Sequence, residues 1–377
     1  MRDAVIVDAV RAPIGRRRGA LSGIHPADLS AHVLEALVER TGIDPAVVDD
    51  VVWGCVSQAA EQAGNVARTA VLAAGWPESV PGTTVTRACG SSQQAVSMAA
   101  AAVVSGQQDV VIAGGVESMS RVPMGSAAPN GEHQPPTVLD RYGVDKFSQG
   151  IGAEMVAAKW GLDRTRLDEY SLRSHELAAQ AADRGAFDAQ LAPIPGVLEG
   201  DEGIRRGGTL ESLAKLKPAF SEDGVIHAGN SSQISDGSGA LLIMSGETAK
   251  SYGLTPIARI HTAVVAADDP VIMLTGPIPA TAKALKRSGL SIDDIGAFEI
   301  NEAFAPVPLA WQAETGADLD RLNPLGGAIA VGHPLGGSGA ILMTRLVHHM
   351  RDNGIRYGLQ SMCEAGGMAN TTILELL

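Results

Sequence analysis

The 377-residue sequence predicts an α/β fold made of two similar halves, with a loop region inserted in the first. Short apolar runs of strand length alternate with helical patterns from the first residue. This alternation is typical of parallel βαβ units with helices on both faces of a sheet. It stops between about Ser118 and Ser235, where most of the proline and glycine clusters lie, and resumes at Gly239–Met244. A weak internal repeat relates the end of the chain to its beginning.

The elements of the first half are predicted from local patterns. Pro26–Thr41 has apolar residues at helical spacing, and Gly42 marks the point where this helix should end. Within the insertion, Thr165–Arg184 is predicted to be helical. The remaining predictions are strands at Ala4–Val10, Asp50–Val56, Thr83–Arg87 and Asp109–Ala113, the last closed by Gly114 and Gly115, and a helix at Ser92–Ser105.

The internal repeat joins two helix–turn–strand segments. In both, a helix ends in glycine (Gly42 or Gly289) and an Ile-Asp turn leads into a strand. Each copy is followed by a Gly/Ser-rich turn that opens a helix, at Cys89–Ser92 and at His333–Ser338. One weak match can arise by chance, and two copies exclude a long repeat array.

Composition excludes several classes of protein. The net charge of −13 argues against nucleic acid or an anionic membrane as the main partner, so an anionic ligand needs a local basic pocket. The three cysteines have neither metal-ligand nor redox spacing, which favours a reducing cytosol. The N-terminal segment has a charge inside a short apolar run and is predicted to be a strand. We therefore expect a soluble, cytoplasmic protein without membrane insertion.

Two turns carry candidate catalytic residues. Cys89 follows the β-branched run Thr83–Thr86 and precedes an alanine-rich helix, whose positive end should depress the thiol pKa. The alternative for Cys89 is a buried small hydrophobe. His333 lies among the six glycines of Asn323–Gly339. Such a density of glycine is hard to explain by packing and allows backbone and ligand to approach closely.

Two further positions follow predicted strands. Cys363 precedes a glycine turn whose backbone N–H groups are suited to an oxyanion. Asn301 ends the strand at Phe298–Ile300, at the edge where open α/β sheets place their sites. A helix N-cap is the alternative role for Asn301, and the two roles are compatible. The sequence shows no His/Asp/Glu cluster with metal-ligand spacing, so we expect no metal.

Together these stretches resemble the thiolases (acetyl-CoA C-acyltransferases) over essentially the whole chain. The turns at Cys89, Asn301–Phe304, Gly332–Pro334 and Cys363 occur in thiolase order and spacing, as does Ala228–Gly237. The resemblance implies the thiolase fold, two βαβ-type halves stacked as layers in the order αβαβα. It places the N-terminal half at 1–118 plus 235–256, the inserted loop domain at 119–234 and the C-terminal half at 257–377.

The resemblance also implies roles for individual residues. Cys89 would carry the acyl group as a thioester, His333 would take its proton, and Cys363 would be the second acid/base. His333 with a water held by Asn301 would form one oxyanion hole, and the backbone N–H groups of Cys89 and Ala365 the other. CoA or substrate contacts would come from Arg205, Ser212, Ala228, Ser232 and Gln149. A solvated basic turn is the alternative for Arg205-Arg206.

CoA and acyl-CoA would act as substrates, with no permanently bound cofactor, and the resemblance implies a homodimer or homotetramer. Two departures from the thiolase pattern matter. Ala365 replaces the first of three glycines, and a positive φ there would strain the turn and weaken activity. Gln149 stands where short-chain biosynthetic thiolases have methionine, which argues against a tight acetyl pocket.

We therefore expect degradative cleavage of a medium-length or bulky 3-oxoacyl-CoA, as in actinobacterial thiolases of fatty-acid and steroid side-chain breakdown. One alternative is a biosynthetic thiolase that forms acetoacetyl-CoA. Others are a ketoacyl synthase, which would show a histidine or asparagine in place of Cys363, and a weakly active or non-catalytic homologue that binds CoA or lipid.

Overall fold

The computed structural model describes residues 2–128 and 133–377, which includes the predicted insertion except for 129–132. The strands are β1 (Val5–Arg11), β2 (Gly15–Arg16), β3 (Asp50–Gly54), β4 (Gly82–Val85), β5 (Val110–Ser118), β6 (Ser235–Met244), β7 (Ala258–Ala267), β8 (Ala297–Ile300), β9 (Tyr357–Glu364) and β10 (Met368–Leu376). The helices are α1 (Pro26–Thr41), α2 (Val66–Ala73), α3 (Ser91–Ser105), α4 (Pro136–Tyr142), α5 (Gln149–Lys159), α6 (Arg164–Asp183), α7 (Leu210–Ala214), α8 (Gly246–Ser251), α9 (Pro277–Ser288), α10 (Pro306–Thr315), α11 (Ala328–Val331) and α12 (Ser338–Asn353).

The strands form one large mixed sheet in the order β4-β3-β5-β6-β1-β7-β10-β9-β8, with β2 paired to β6. Among the described strands, the parallel pairs are β3 with β4, β3 with β5, and β8 with β9. The expected βαβ-type units are therefore present in both halves of the sheet, and the other pairs are antiparallel. One reason is that β9 and β10 are joined by a three-residue turn, and strands joined by so short a turn must be antiparallel. At the centre, β1 and β7 pair only at Val5 and Ile6.

The structure confirms the internal repeat as a repeat of structure. Helix α1 ends at Gly42, whose φ is +67°, and a 3-10 turn at Pro45–Val47 leads into β3. Helix α9 ends at Gly289, whose φ is +76°, and a 3-10 turn at Ile292–Asp294 leads into β8. In both copies glycine supplies the left-handed cap that ends the helix without a Cβ penalty.

Helices α3 and α12, which follow the two copies, pack against each other and against strands from both ends of the sheet. Their crossing is close because Gly339 lies against the α3 backbone: a Cβ on this glycine would be 2.4 Å from the backbone nitrogen of Gln93. The N–H of Ala340 also donates to the Ser92 hydroxyl, at 2.8 Å. The two turns that precede these helices are thereby held next to each other.

Most predicted boundaries agree with the structure to within a few residues, and one prediction was wrong. Gly114 and Gly115 do not close β5 but lie inside it. Glycine is needed at position 114 because a Cβ there would come 2.4 Å from the ring of buried Trp53. Within the described residues, no helix is both long and apolar enough to cross a membrane.

Candidate active site

The Cys89 turn joins β4 to α3 and is held in a strained shape. Ala88 has a φ of +44°, a left-handed conformation that costs a residue with a Cβ about 1 kcal/mol or more. The Ser91 hydroxyl stabilises it by accepting from the N–H of Arg87 at 2.9 Å and donating to the carbonyl of Ala88 at 2.6 Å. Cys89 is consequently fixed just ahead of the helix, with only 5% of its surface exposed.

The expectation that the helix dipole depresses the pKa of Cys89 was wrong. Burial raises the pKa of this thiol well above its usual value, and ionisation of the neighbouring Cys363 or Glu364 raises it further. The backbone N–H of Cys89 lowers it, but by less. Because burial removes the water that would solvate a thiolate, the resting group is a neutral thiol.

His333 lies in the loop between α11 and α12 and is almost completely buried. Its N–H donates to the carbonyl of Gln233 at 3.0 Å, and its Nδ1 lies 2.6 Å from the hydroxyl of Ser338. That hydroxyl donates its proton to the carbonyl of Pro334, so it accepts from Nδ1–H. Nε2 therefore carries the lone pair of the ring and faces Nδ2 of Asn301, 3.4 Å away. Burial lowers the His333 pKa to about 4, so Nε2 is ready to accept a proton at neutral pH.

Asn301 connects the histidine to the second cysteine. Its Nδ2 lies 3.4 Å from Nε2 of His333, and a hydrogen bond from its side chain lowers the pKa of Cys363. Burial is the larger effect on Cys363 and raises its pKa to about 12. The N-cap alternative for Asn301 was wrong, because α10 begins only at Pro306 and the N–H of Asn301 donates to the carbonyl of Ser361.

The turn after Cys363 does not carry the strain expected at Ala365. The left-handed residues are Gly366 and Gly367, with φ of +85° and +74°, and Ala365 has a negative φ. A Cβ on Gly367 would also lie 2.6 Å from the carbonyl oxygen of Asp268. Alanine is therefore compatible with the backbone at 365, and glycine is needed only at the next two positions.

Two buried carboxylates hold the loops around the site. Glu117 accepts four N–H groups: Oε1 from Ser57 and the Gln62 side chain, Oε2 from Val56 and Gly336, all between 2.9 and 3.0 Å. It thereby joins the loop after β3 to the loop that carries His333. Sequence reasoning missed it because nothing local marks an acid at a strand end as buried.

The second carboxylate is Glu302, next to Asn301, and it ties α6 to the site. Its oxygens accept from the hydroxyls of Tyr170 and Ser174, at 2.9 and 2.6 Å, and from the side chain of Asn323 and the N–H of Ile329, both at 3.1 Å. Sequence reasoning missed the role of Glu302 and that of Ser338, although both lie inside motifs that it singled out.

A cavity of about 630 Å³ opens between α6 and the segment that contains α7. Arg205 and Ser212 both line it, together with His175, whose Nδ1 accepts the N–H of Arg205 at 3.1 Å. Burial lowers the pKa of His175 to about 4, and the charge of Arg205 lowers it further. Arg206 also lines the cavity, and its guanidinium pairs with Asp183 at the surface.

Of the other predicted contacts, Ala228 and Ser232 lie on the segment that follows the cavity, whereas Gln149 lies on a separate helix. Gly229, next to Ala228, lines the cavity, and the N–H of Ser232 donates to the carbonyl of Ala303 at 2.9 Å. Gln149 begins α5, and a Cβ on the adjacent Gly150 would run into the ring of Phe220. That ring stacks edge-on against Phe304, at 5.8 Å between centroids.

In the described part of the chain, no group of three or more His, Cys, Asp or Glu side chains is placed to hold a metal ion. The site instead brings together two thiols, an imidazole and a carboxamide. This set can carry an acyl group on sulfur and move protons, the chemistry of acyl transfer between thiols.

Comparison with known proteins agrees with this chemistry. Residues 4–247 match the thiolase N-terminal domain and residues 254–376 the thiolase C-terminal domain. The chain is 50% identical, over all of its length and 95% of the relative, to the steroid 3-ketoacyl-CoA thiolase FadA6 of Mycobacterium tuberculosis. It is 43% identical to a 3-ketoacyl-CoA thiolase of Pseudoalteromonas translucida, over all of its length and 99% of that protein.

Among solved structures, the acetyl-CoA acetyltransferase of Bacillus anthracis superposes with a TM-score of 0.92 at 39% identity, over all of this chain and 99% of that one. The domain matches and the relatives extend over both halves of the chain, and the fold agrees with them. The protein is an acyltransferase that belongs to the thiolase family.

Proposed function

We propose that the chain catalyses CoA-dependent cleavage of a 3-oxoacyl-CoA to acetyl-CoA and a shortened acyl-CoA. The observation that carries this proposal is the convergence of Cys89, Cys363, Asn301 and His333 in one buried site. The segment from Gly229 to Ser232 connects this site to the cavity lined by Arg205. Two thiols are what the reaction needs, because one holds the acyl group while the other handles the proton of the acetyl fragment.

In the first half-reaction, the sulfur of Cys89 attacks the 3-oxo carbon and its proton passes to Nε2 of His333. The C2–C3 bond then breaks, its electron pair leaves as the enolate of acetyl-CoA, and the Cys363 thiol protonates C2. In the second, the sulfur of CoA attacks the acyl group on Cys89 while the CoA proton returns to Cys363. The departing Cys89 sulfur takes back the proton held by His333.

Both half-reactions develop negative charge on oxygen inside a buried site. We assign one oxyanion hole to His333 and a water held by Asn301, and the other to the backbone N–H groups of Cys89 and Ala365. Fixed donors of this kind are worth several kcal/mol in the transition state. The burial that raises both thiol pKa values also strengthens each of these hydrogen bonds.

For CoA, we assign Arg205 to the anionic nucleotide end. We assign Ser212, Ala228 and Ser232 to the remainder of the CoA molecule. Arg205 supplies the local positive charge that a protein of net charge −13 needs for an anionic ligand. For the acyl group, Gln149 and the 50% identity to the mycobacterial steroid thiolase support a medium-length or bulky chain.

The second candidate is synthesis of acetoacetyl-CoA, the reverse reaction on the shortest chain. It is favoured by the close superposition with the acetyl-CoA acetyltransferase of Bacillus anthracis. We assign Gln149 to the acyl pocket, where a polar side chain makes tight binding of an acetyl group less favourable, so we expect acetoacetyl-CoA to be the poorer substrate.

We further infer that the protein is a cytoplasmic homodimer or homotetramer in which two chains join through β4. This strand ends the sheet, has only one partner among the described strands, and is half-buried. Leu72 of α2, which packs on β4, is 49% exposed. All three cysteines are free, as a reducing compartment allows. Light scattering should give twice or four times the 38.8 kDa of the chain, and a monomer would contradict the inference.

The test of the catalytic proposal is intact-protein mass after brief exposure to acetyl-CoA, acetoacetyl-CoA and a bulky 3-oxoacyl-CoA. Wild type should gain one acyl group, fastest from the bulky donor, and Cys89→Ala should gain none. Fastest labelling by acetyl-CoA or acetoacetyl-CoA would favour the second candidate. No label from any donor, in folded protein shown to bind CoA, would refute both candidates and support a non-catalytic homologue.

A further inference from the structure

Directly behind the nucleophile turn lies a buried acid that the mechanism does not use. Glu364 ends β9, next to Cys363, and has no exposed surface. Its carboxyl is against Gly90, the residue that follows Cys89: a Cβ on Gly90 would lie 2.0 Å from Oε1 of Glu364. Only glycine at 90 leaves room for this acid.

The carboxyl lacks the partners that a buried carboxylate needs. Neither of its oxygens accepts a hydrogen bond of normal length and angle from the described residues, and the backbone N–H of Asn370 makes only a weak contact with the carboxyl. Nε of Arg87 and Oδ1 of Asn370 also lack partners there. The Nδ2 of Asn370 donates to the carbonyl of Gly90 at 2.9 Å. These polar side chains surround the turn, and an ionised carboxylate among them would be buried with its acceptors unsatisfied, which costs more than a neutral acid does.

The charge state of Glu364 bears directly on both thiols. Burial raises its pKa to about 8, although the positive charge of Arg87 opposes the shift. A negative charge on Glu364 raises the pKa values of Cys89 and Cys363. Glu117 is the other carboxylate that acts on Cys89, and its effect is smaller than that of Glu364. An ionised Glu364 therefore opposes the sulfur charge that acylation requires.

We propose that Glu364 is a positioning residue that acts in its protonated form, filling the space behind Gly90 as a neutral acid, and that its ionisation slows the reaction of Cys89. The catalytic consequence rests on the proposed function: if Cys89 is acylated in the reaction, ionisation of Glu364 limits the rate of acylation at alkaline pH. The chemistry of Cys89 can nevertheless be tested without a substrate.

The experiment measures the rate at which iodoacetamide alkylates Cys89 at pH values from about 6 to about 10. The readout is the increase in mass of the peptide that contains Cys89. Glu364→Gln mimics the neutral acid at every pH. Its rate should equal that of wild type below about pH 7 and exceed it by about tenfold near pH 10, where the extra negative charge of wild type opposes ionisation of the Cys89 thiol. A purely structural role would change the rate by the same factor at every pH.

The matched control is Glu299→Gln. Glu299, on β8, is a second buried acid whose pKa burial raises to about 8, and its charged neighbours are Arg345 and Glu302 instead of the two thiols. This variant should keep the wild-type profile. If it shows the same gain at high pH as Glu364→Gln, or if Glu364→Gln follows wild type or is slower by a constant factor, the proposal is wrong.

Arg87→Gln keeps the proposal testable if Glu364→Gln does not fold. Removing the positive charge should raise the pKa of Glu364. In wild type the alkylation rate should rise less steeply with pH once Glu364 ionises, and this break should occur at a higher pH in Arg87→Gln. A break that stays in place or moves downward would overturn the inference. Alkylation needs no CoA, so a protein that shows these profiles but takes up no acyl group would refute the proposed function alone.

Discussion

Replacing Glu117 with glutamine should destabilise the protein more than the same change at Glu302. The hydrogen-bond partners of Glu302 include hydroxyl groups, which can rotate and become acceptors, whereas those of Glu117 do not. All four groups that Glu117 accepts from are N–H donors, three on the backbone and one on the Gln62 amide. A glutamine offers one oxygen and one NH₂ group. Whichever way it turns, two N–H donors lose their acceptor and face another donor.

The size of the effect follows from that count. A buried donor without an acceptor costs about 1–3 kcal/mol, so Glu117→Gln should lower the free energy of unfolding by about 2–6 kcal/mol. Glu302→Gln is the matched comparison. With its NH₂ group at the position of Oε2, the Ser174 hydroxyl can turn and accept, and only the N–H of Ile329 is left alone. The expected loss is about 1–3 kcal/mol, half as large.

Denaturation by urea at one fixed protein concentration measures both losses, since association would otherwise contribute to them. The two variants should differ in midpoint with unchanged slopes. An equal or larger loss for Glu302→Gln would refute the argument. It would mean that the cost is not set by the number of N–H donors that cannot turn and become acceptors. So would a loss below about 1 kcal/mol for Glu117→Gln.

Three further predictions concern the catalytic loops. Ser338→Ala removes the acceptor for Nδ1–H of His333 and should slow acylation of Cys89 about three- to tenfold, the worth of one hydrogen bond, in stopped-flow measurements; an unchanged rate would count against the assigned tautomer. Burial lowers the His333 pKa from 6.5 to about 4, so as pH falls through this window the unfolded chain takes up a proton that the folded chain does not. Wild type should therefore lose about 3 kcal/mol more stability than His333→Gln between about pH 7 and about pH 4, and parallel curves would contradict the shift. Ala365→Gly should leave kcat within about twofold and cost about 0.5–1 kcal/mol in stability, because the φ at 365 is negative; a large gain in activity would show that the methyl group does crowd the site.

The sequence predicted best those features that local residues decide. Helix α1 has its predicted bounds, because proline at its first position and a left-handed Gly42 at its end act within one turn. The start of α3 differs from the prediction by one residue. The direction in which most strands pair was not predictable in the same way, because the partners of β6, which are β1 and β5, come from distant parts of the chain.

The same distinction explains the errors at the site. The position of Cys89 before a helix is a local fact and was correct, but the pKa of its thiol depends on burial by Leu342 and Met362, which are more than two hundred residues away in the chain. Glu117 and Glu364 were missed because an acid looks the same in a sequence whether it is buried or exposed. The glycines that face them, such as Gly90, are consistent with a buried acid, but this can be recognised only once the contact is known.

The crossing of α3 and α12 at Gly339 separates two tasks that many enzymes combine. The nucleophile and its base are fixed relative to each other by a contact between two helices of the core. The cavity that we assign to CoA, and Gln149, which we assign to the acyl group, both lie between β5 and β6. Recognition can therefore diverge without disturbing reactivity. A chimera that takes residues 119–234 from a relative with another acyl preference should acquire that preference while its Cys89 reacts with iodoacetamide as before.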